Sequence, residues 1–132
     1  MASARGRLAV WVGAALLAVT ALVHLGGYAT IPDSDTASGQ GRLYAILLRP
    51  LWLFAGLHWL LIALLCLLVA DAGPHVRRAM LGCCALFVFA DAILLYAFVG
   101  PFIGVALLAA AATAFGVAAF WTAPRPSVGL EL

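Results

Sequence analysis

The chain has 132 residues, of which 67% are hydrophobic and only 9% are charged, and its formal net charge is +2. Soluble domains average about half hydrophobic and about a quarter charged residues, so this chain lacks the polar side chains that would cover a soluble core. The composition excludes a soluble domain, and the small net charge gives no reason to expect nucleic-acid binding. It predicts an all-α membrane protein with one domain, residues 1–132, whose apolar surface faces the lipid bilayer.

The first apolar run covers residues 8–29 and follows a short polar start that carries Arg5 and Arg7. Such a start is also typical of a signal peptide, whose apolar core has about 7–15 residues. This run is longer and ends without a convincing cleavage site, so we interpret it as a retained first span. Residues 30–41, which contain Pro, Gly, Ser, Thr and Asp, are then predicted to form an external loop.

The next apolar run, residues 43–70, is interrupted only by Arg49 and His58. As a single helix starting at Arg42 it would measure about 43 Å, against about 30 Å for the hydrocarbon core of a bilayer. The run is therefore longer than one untilted span requires.

Pro50 is the expected point of interruption in this run. Proline disfavours helix in the residue before it and suits the first turn of a helix. We therefore predict a second span at residues 51–70, preceded by a short interfacial helix at residues 42–49. The alternative is one tilted helix that is kinked at the proline.

The second half of the chain predicts two further spans. A polar segment, residues 71–78, forms a turn, and residues 79–99 follow as the third span with Asp91 as the one charged residue inside it. Gly100 and Pro101 break the apolar run, and residues 102–121 form the fourth span. The predicted fold is a bundle of four transmembrane helices.

The fourth span is rich in alanine and has small residues at Gly104, Ala112 and Gly116. Small residues spaced by multiples of four allow helix backbones to approach closely in a membrane. They predict close packing within the bundle or a homo-oligomer formed through this span, although alanine is also simply a good helix former in lipid.

Arginines flanking the spans predict the orientation. Basic residues are concentrated on the cytoplasmic side of membrane proteins. Five arginines lie on the side of the termini and of the 71–78 turn, and two lie on the other side, so both termini and that turn are predicted to be cytoplasmic. All seven basic residues are Arg, beside many Ala, Leu and Gly, and this bias suggests a GC-rich genome and a bacterial inner membrane.

Three ionisable side chains, His24, His58 and Asp91, lie within three different spans. Counted from the external ends of those spans, they lie about 8, 11 and 12 Å deep at ~1.5 Å per residue. We expect them to meet in one external-side cavity. Tyr28 shares a helix face with His24, and Trp59 is a further candidate for the same polar site.

An ionised aspartate facing lipid costs about 2.5–3.5 kcal/mol, so Asp91 is expected to face the bundle interior. Two histidines and one carboxylate suit a divalent metal such as zinc, and the same groups suit a proton or cation relay. A quinone or lipid pocket and haem ligation by the two histidines are alternatives. The plainest alternative is that these groups only join helices by hydrogen bonds.

The three cysteines form a second group in the cytoplasmic third of the membrane. Buried thiols that act as small apolar side chains are the default interpretation, because an odd count argues against a disulfide framework. Together with the histidines and Asp91, they could also make a route for a thiophilic metal. These residues are Cys66, Cys83 and Cys84.

Three classes of function follow. The favoured hypothesis is ion, proton or metal handling or transport at His24, His58 and Asp91. The second is a redox or cofactor-binding membrane subunit, and the third is an accessory or scaffold protein without a ligand. The sequence contains no nucleophilic triad or nucleotide-binding motif, so an enzyme is the less expected class.

Overall fold

The computed structural model describes residues 4–31 and 40–121. Within these ranges the chain is helical and contains no β-strand. Four helices are long and apolar enough to cross a membrane, which makes the protein a helical membrane bundle. In chain order they are α1 (Ala4–Gly26), followed by a 3-10 turn (Gly27–Thr30), then α2 (Gln40–Leu68), α3 (Pro74–Val99) and α4 (Ile103–Phe120).

Successive helices run in opposite directions, so the bundle has two ends. We call the end where α1 begins and α4 finishes the terminal end. There, the Arg7 guanidinium of α1 lies 3.6 Å from the carboxylate of Asp71 in the α2–α3 turn. At the same end, Arg77 of α3 donates a hydrogen bond to the backbone carbonyl of Trp121 after α4. At the opposite end, the loop end, Arg49 of α2 donates to the carbonyl of Ile31. Which end faces the cytoplasm stays a prediction.

The fourth helix is the centre of the packing. Its contacts with α3 and α1 are the most extensive in the bundle, α1 also packs on α2, and α2 and α3 touch only along a narrow line. On α1 the buried positions Val10, Ala14, Leu17 and Ala21 follow a helical repeat and belong to one core cluster with buried residues of α4. In α4 these are Leu108, Ala111, Ala112, Phe115, Ala118 and Ala119.

Several alanines of α4 pack inside this chain. Ala111, Ala112, Ala118 and Ala119 are buried, whereas Gly116 has open space where a Cβ would lie. Without a hydrophobic driving force between helices in lipid, small side chains stabilise association by allowing dense van der Waals packing. A homo-oligomer through α4 stays a prediction, and it would have to use the remaining exposed face.

The predicted division of residues 42–70 into an interfacial helix and a span is wrong. One continuous helix, α2, runs from Gln40 to Leu68 with Pro50 inside it. The ring of Pro50 removes one amide donor, yet the helix continues because backbone groups in lipid have no water to bond outside a helix. Residues 42–49 are its first turns, and a helix of this length fits a bilayer by tilting or by extending beyond it.

The other boundaries differ from the prediction by a few residues. The predicted 71–78 turn is shorter, because α3 already starts at Pro74, a residue that suits the first turn of a helix. The α3–α4 break occurs where predicted, at Gly100, whose φ of 93° is readily adopted only by glycine. Most of the predicted 30–41 loop lies outside the described residues.

Candidate functional site

Asp91 is the acceptor at the centre of a polar cluster between α2 and α3. Its carboxylate oxygen Oδ2 accepts a hydrogen bond from the indole N–H of Trp59 at 2.8 Å. The same oxygen lies 3.0 Å from Nε2 of His58 and accepts a second hydrogen bond there when that nitrogen carries the ring proton. In the part of the chain that the structure describes, Oδ1 is left for another donor.

The His58–Asp91 pair joins α2 to α3, two helices that touch only along a narrow line. The two side chains keep 27% and 25% of their surface exposed, so the pair is not sealed inside the bundle. Nδ1 of His58 is nevertheless buried and has no hydrogen-bond partner among the described residues. An unsatisfied buried nitrogen is costly and is typical of a functional site or of a site completed by another molecule.

His24 has a different partner. Its Nε2 donates to the backbone carbonyl of Trp52 at 3.0 Å, and the Trp52 indole N–H donates back to the carbonyl of His24. The two rings are stacked with their centroids 4.2 Å apart. With the proton of a neutral imidazole on Nε2, Nδ1 of His24 is an acceptor.

Trp59 connects the two groups. Its ring lies edge-on to His24 with centroids 5.0 Å apart, while its N–H points to Asp91 on the other side. The structure thus brings His58, Trp59 and Asp91 into hydrogen-bond contact, and it places His24 one aromatic ring away from the pair.

A cavity of about 350 Å³ opens beside this row of side chains near the loop end. Its wall includes the polar or aromatic side chains of His24, Trp52 and Trp59. Thr20 adds a hydroxyl group to the wall, and this hydroxyl donates to the backbone carbonyl of Leu16. The remaining wall comes from α1, α3, the α3–α4 break and α4, and it is aliphatic or aromatic apart from a glycine. These residues are Val23, Leu95, Val99, Phe102, Ile103, Gly104, Leu107 and Leu108.

The predicted metal ligands do not form a coordination sphere. No group of three His, Cys, Asp or Glu side chains that could hold a metal ion occurs in residues 4–31 and 40–121. The Nε2 atoms of His24 and His58 both face protein acceptors, on either side of the Trp59 ring.

The cysteines divide into a pair and a single residue. Cys66 of α2 and Cys84 of α3 are buried free thiols that neighbour each other, on the terminal-end side of Asp91. Cys83 is exposed on another face of α3, as adjacent helical positions require. Tyr28 lies outside the cavity wall, where the guanidinium of Arg49 lies 5.6 Å from its ring centroid.

Sequence reasoning missed two parts of this site. The predicted polar site does not include Trp52, although this residue lies seven residues before Trp59 and therefore on the same face of α2. That seven-residue spacing is the sequence pattern that could have placed Trp52 in the site. The contribution of the α3–α4 break to the cavity wall had no signal in the sequence, because a cavity depends on how the helices pack.

No known family model matches the chain, and neither a curated protein nor a solved structure shows significant similarity to it.

Proposed function

We propose that this protein binds a small, largely apolar molecule that is dissolved in the bilayer, a quinone-type compound, in the cavity beside His24 and Trp59. The cavity is the observation that supports this proposal. Its volume of about 350 Å³ is at the lower end of the ~300–1,000 Å³ of typical ligand sites. Such sites are mostly apolar with a few polar groups that orient the ligand, and this wall has that composition.

The polar groups of the wall suit a ring that carries oxygen atoms. Nδ1 of His24 accepts a hydrogen bond in the neutral tautomer, and the hydroxyl of Thr20 keeps lone pairs for a donor because its proton is given to Leu16. A hydroquinone hydroxyl can donate to either atom. The indole rings of Trp52 and Trp59 supply flat apolar surfaces for the ring of the ligand.

The His58–Asp91 pair favours proton handling as a second candidate function. Carboxylate and imidazole groups joined by a hydrogen bond can pass a proton, and acidic residues within membrane spans commonly serve proton relays. The pair is partly exposed, and Trp59 separates it from the cavity. Proton handling at this pair is compatible with ligand binding next to it, whereas metal transport has no assembled ligand set in the described residues.

The proposal is tested by titrating the protein in detergent with a short-chain ubiquinone analogue. Quenching of tryptophan fluorescence measures the binding. A Trp11→Phe, Trp121→Phe background leaves the two tryptophans of the cavity wall as reporters. We expect saturable quenching that Leu107→Phe abolishes by filling the cavity. Leu94→Phe, the same change at an exposed position of α3, should leave quenching intact.

Two results would reject the quinone proposal. One is the absence of saturable quenching in the parent protein, and the other is an equal response of the Leu107→Phe and Leu94→Phe variants. These results would favour the accessory or scaffold hypothesis, in which the polar residues serve only to join helices by hydrogen bonds.

A further inference from the structure

A groove of about 700 Å³ runs along α4 at the terminal end of the bundle, on the side opposite to its packed face. Thr113, Gly116, Val117 and Phe120 line it at helical spacing, and Trp121 closes it at the terminal end. Residues 113 to 121 span about 12 Å at ~1.5 Å per residue, slightly less than the ~15 Å of one hydrocarbon leaflet. The groove therefore has the length and chemistry to hold part of an acyl chain.

Two arginines of α3 reach the terminal end of this groove. The guanidinium carbon of Arg78 lies 4.9 Å from the ring centroid of Phe120, and Arg77 donates from Nη2 to the carbonyl of Trp121 at 3.4 Å. Both aromatic partners belong to the groove wall. The positive charges thus lie where a lipid bound in the groove would place its head group.

The charge of these arginines is not neutralised within the described residues. Arg77 is only 5% exposed and its Nε atom has no hydrogen-bond partner there. The two described carboxylates are engaged elsewhere, Asp71 with Arg7 and Asp91 with His58. A buried guanidinium without an anion is unfavourable, and the end of α4 supplies only a partial negative charge.

We propose that this groove and its two arginines form a binding site for an anionic phospholipid. The phosphate of the head group pairs with the exposed guanidinium of Arg78, and the buried charge of Arg77 adds to the positive potential at the same place. One acyl chain lies along the groove over Gly116, where no side chain fills the space. The site is independent of the cavity near the loop end and of its proposed ligand.

Native mass spectrometry of the full chain tests this site. Delipidated protein is mixed with phosphatidylglycerol or with phosphatidylcholine of identical acyl chains, and the fraction of each lipid retained is measured. We expect a preference for phosphatidylglycerol that Arg78→Gln reduces about fivefold, the effect of ~1 kcal/mol for one arginine at a membrane surface. Arg78→Lys should keep most of the preference, which separates loss of charge from loss of folding.

Matched variants assign the effect to the groove. Arg5→Gln removes a charge from the same end of the bundle but from α1, and it should not change the preference. Gly116→Leu fills the groove and should weaken retention of both lipids. Gly82→Leu, at a helical glycine of α3 that also has open space around it, should not weaken it.

Three outcomes would overturn the lipid site. They are equal retention of the two lipids by the unmodified protein, equal effects of Arg78→Gln and Arg5→Gln, and equal effects of Gly116→Leu and Gly82→Leu. A further arm adds inorganic phosphate at the concentration of the lipid. If phosphate alone displaces phosphatidylglycerol, the arginines bind a free anion and the groove does not act as a lipid site.

Discussion

His24 and Trp52 exchange hydrogen bonds, each ring nitrogen donating to the backbone carbonyl of the other residue while the two rings stack. The exchange joins α1 to α2 near the loop end. It satisfies two side-chain donors and stacks two rings in a setting without water. A double-mutant cycle can measure the coupling within this pair.

We predict that Trp52→Phe and His24→Phe each lower the free energy of unfolding by about 1–2 kcal/mol, because each removes a donor and leaves a carbonyl without its partner. The double variant should lose less than the sum of the two single losses. These free energies are measured by reversible unfolding in mixed micelles with increasing SDS, with circular dichroism as the signal. Additive losses would mean that the two residues stabilise the fold independently.

Asp91 allows its structural and proton-handling roles to be separated. In Asp91→Asn the side-chain oxygen still accepts from Trp59 and His58, so we expect stability to fall by no more than about 1 kcal/mol. Asp91→Ala leaves two N–H donors unpaired and should cost about 2–3 kcal/mol. Unfolding in SDS is the measurement for both.

The same Asp91→Asn variant tests proton handling. In proteoliposomes that contain a pH-sensitive dye, we expect proton movement in the unmodified protein and none in Asp91→Asn. Asp71→Asn is the matched control, because Asp71 forms an exposed ion pair with Arg7 that contributes little. Equal proton fluxes in Asp91→Asn and the unmodified protein would contradict a relay through His58 and Asp91.

Gly13 marks the close approach of α1 and α4. A Cβ at this position would lie 2.8 Å from the Phe115 ring and 3.2 Å from the Ala114 Cβ. Gly13→Ala should therefore cost about 1–3 kcal/mol through overpacking. Gly82→Ala, in open space on α3, should be neutral or slightly stabilising because alanine favours helix. Equal stabilities of the two variants would contradict this packing of α1 on α4.

The predicted orientation has a direct test with single introduced cysteines. Gly73→Cys at the terminal end and Thr30→Cys at the loop end are both exposed positions. In a Cys83→Ser background, a membrane-impermeant maleimide added to intact cells should label Thr30→Cys and should reach Gly73→Cys only after lysis. The reverse pattern would place the termini outside the cytoplasm and would contradict the interpretation of the arginines.

Hydropathy and length were enough to predict the number of helices, because a membrane requires each span to be long, apolar and internally hydrogen-bonded. The predicted interruption at Pro50 is wrong because the need to satisfy the backbone in lipid outweighs the preference that proline shows in water. Counting depth placed His58 and Asp91 at the same level, where the structure shows them paired. Counting depth could not predict the partner of His24, because that partner is a backbone carbonyl, which every residue type has.

The central position of α4 has a consequence for how the protein is made. Ribosomes deliver the helices in chain order, and α1 finds its most extensive partner only when the fourth helix has left the translocon. Until then α1 can pack on α2, whereas α3 touches the earlier helices only along the narrow line with α2 that supplies the partners of Asp91. The packing of α3 is therefore completed only by α4. In a nascent chain stalled before Ile103, α3 and Asp91 would be held by that line alone.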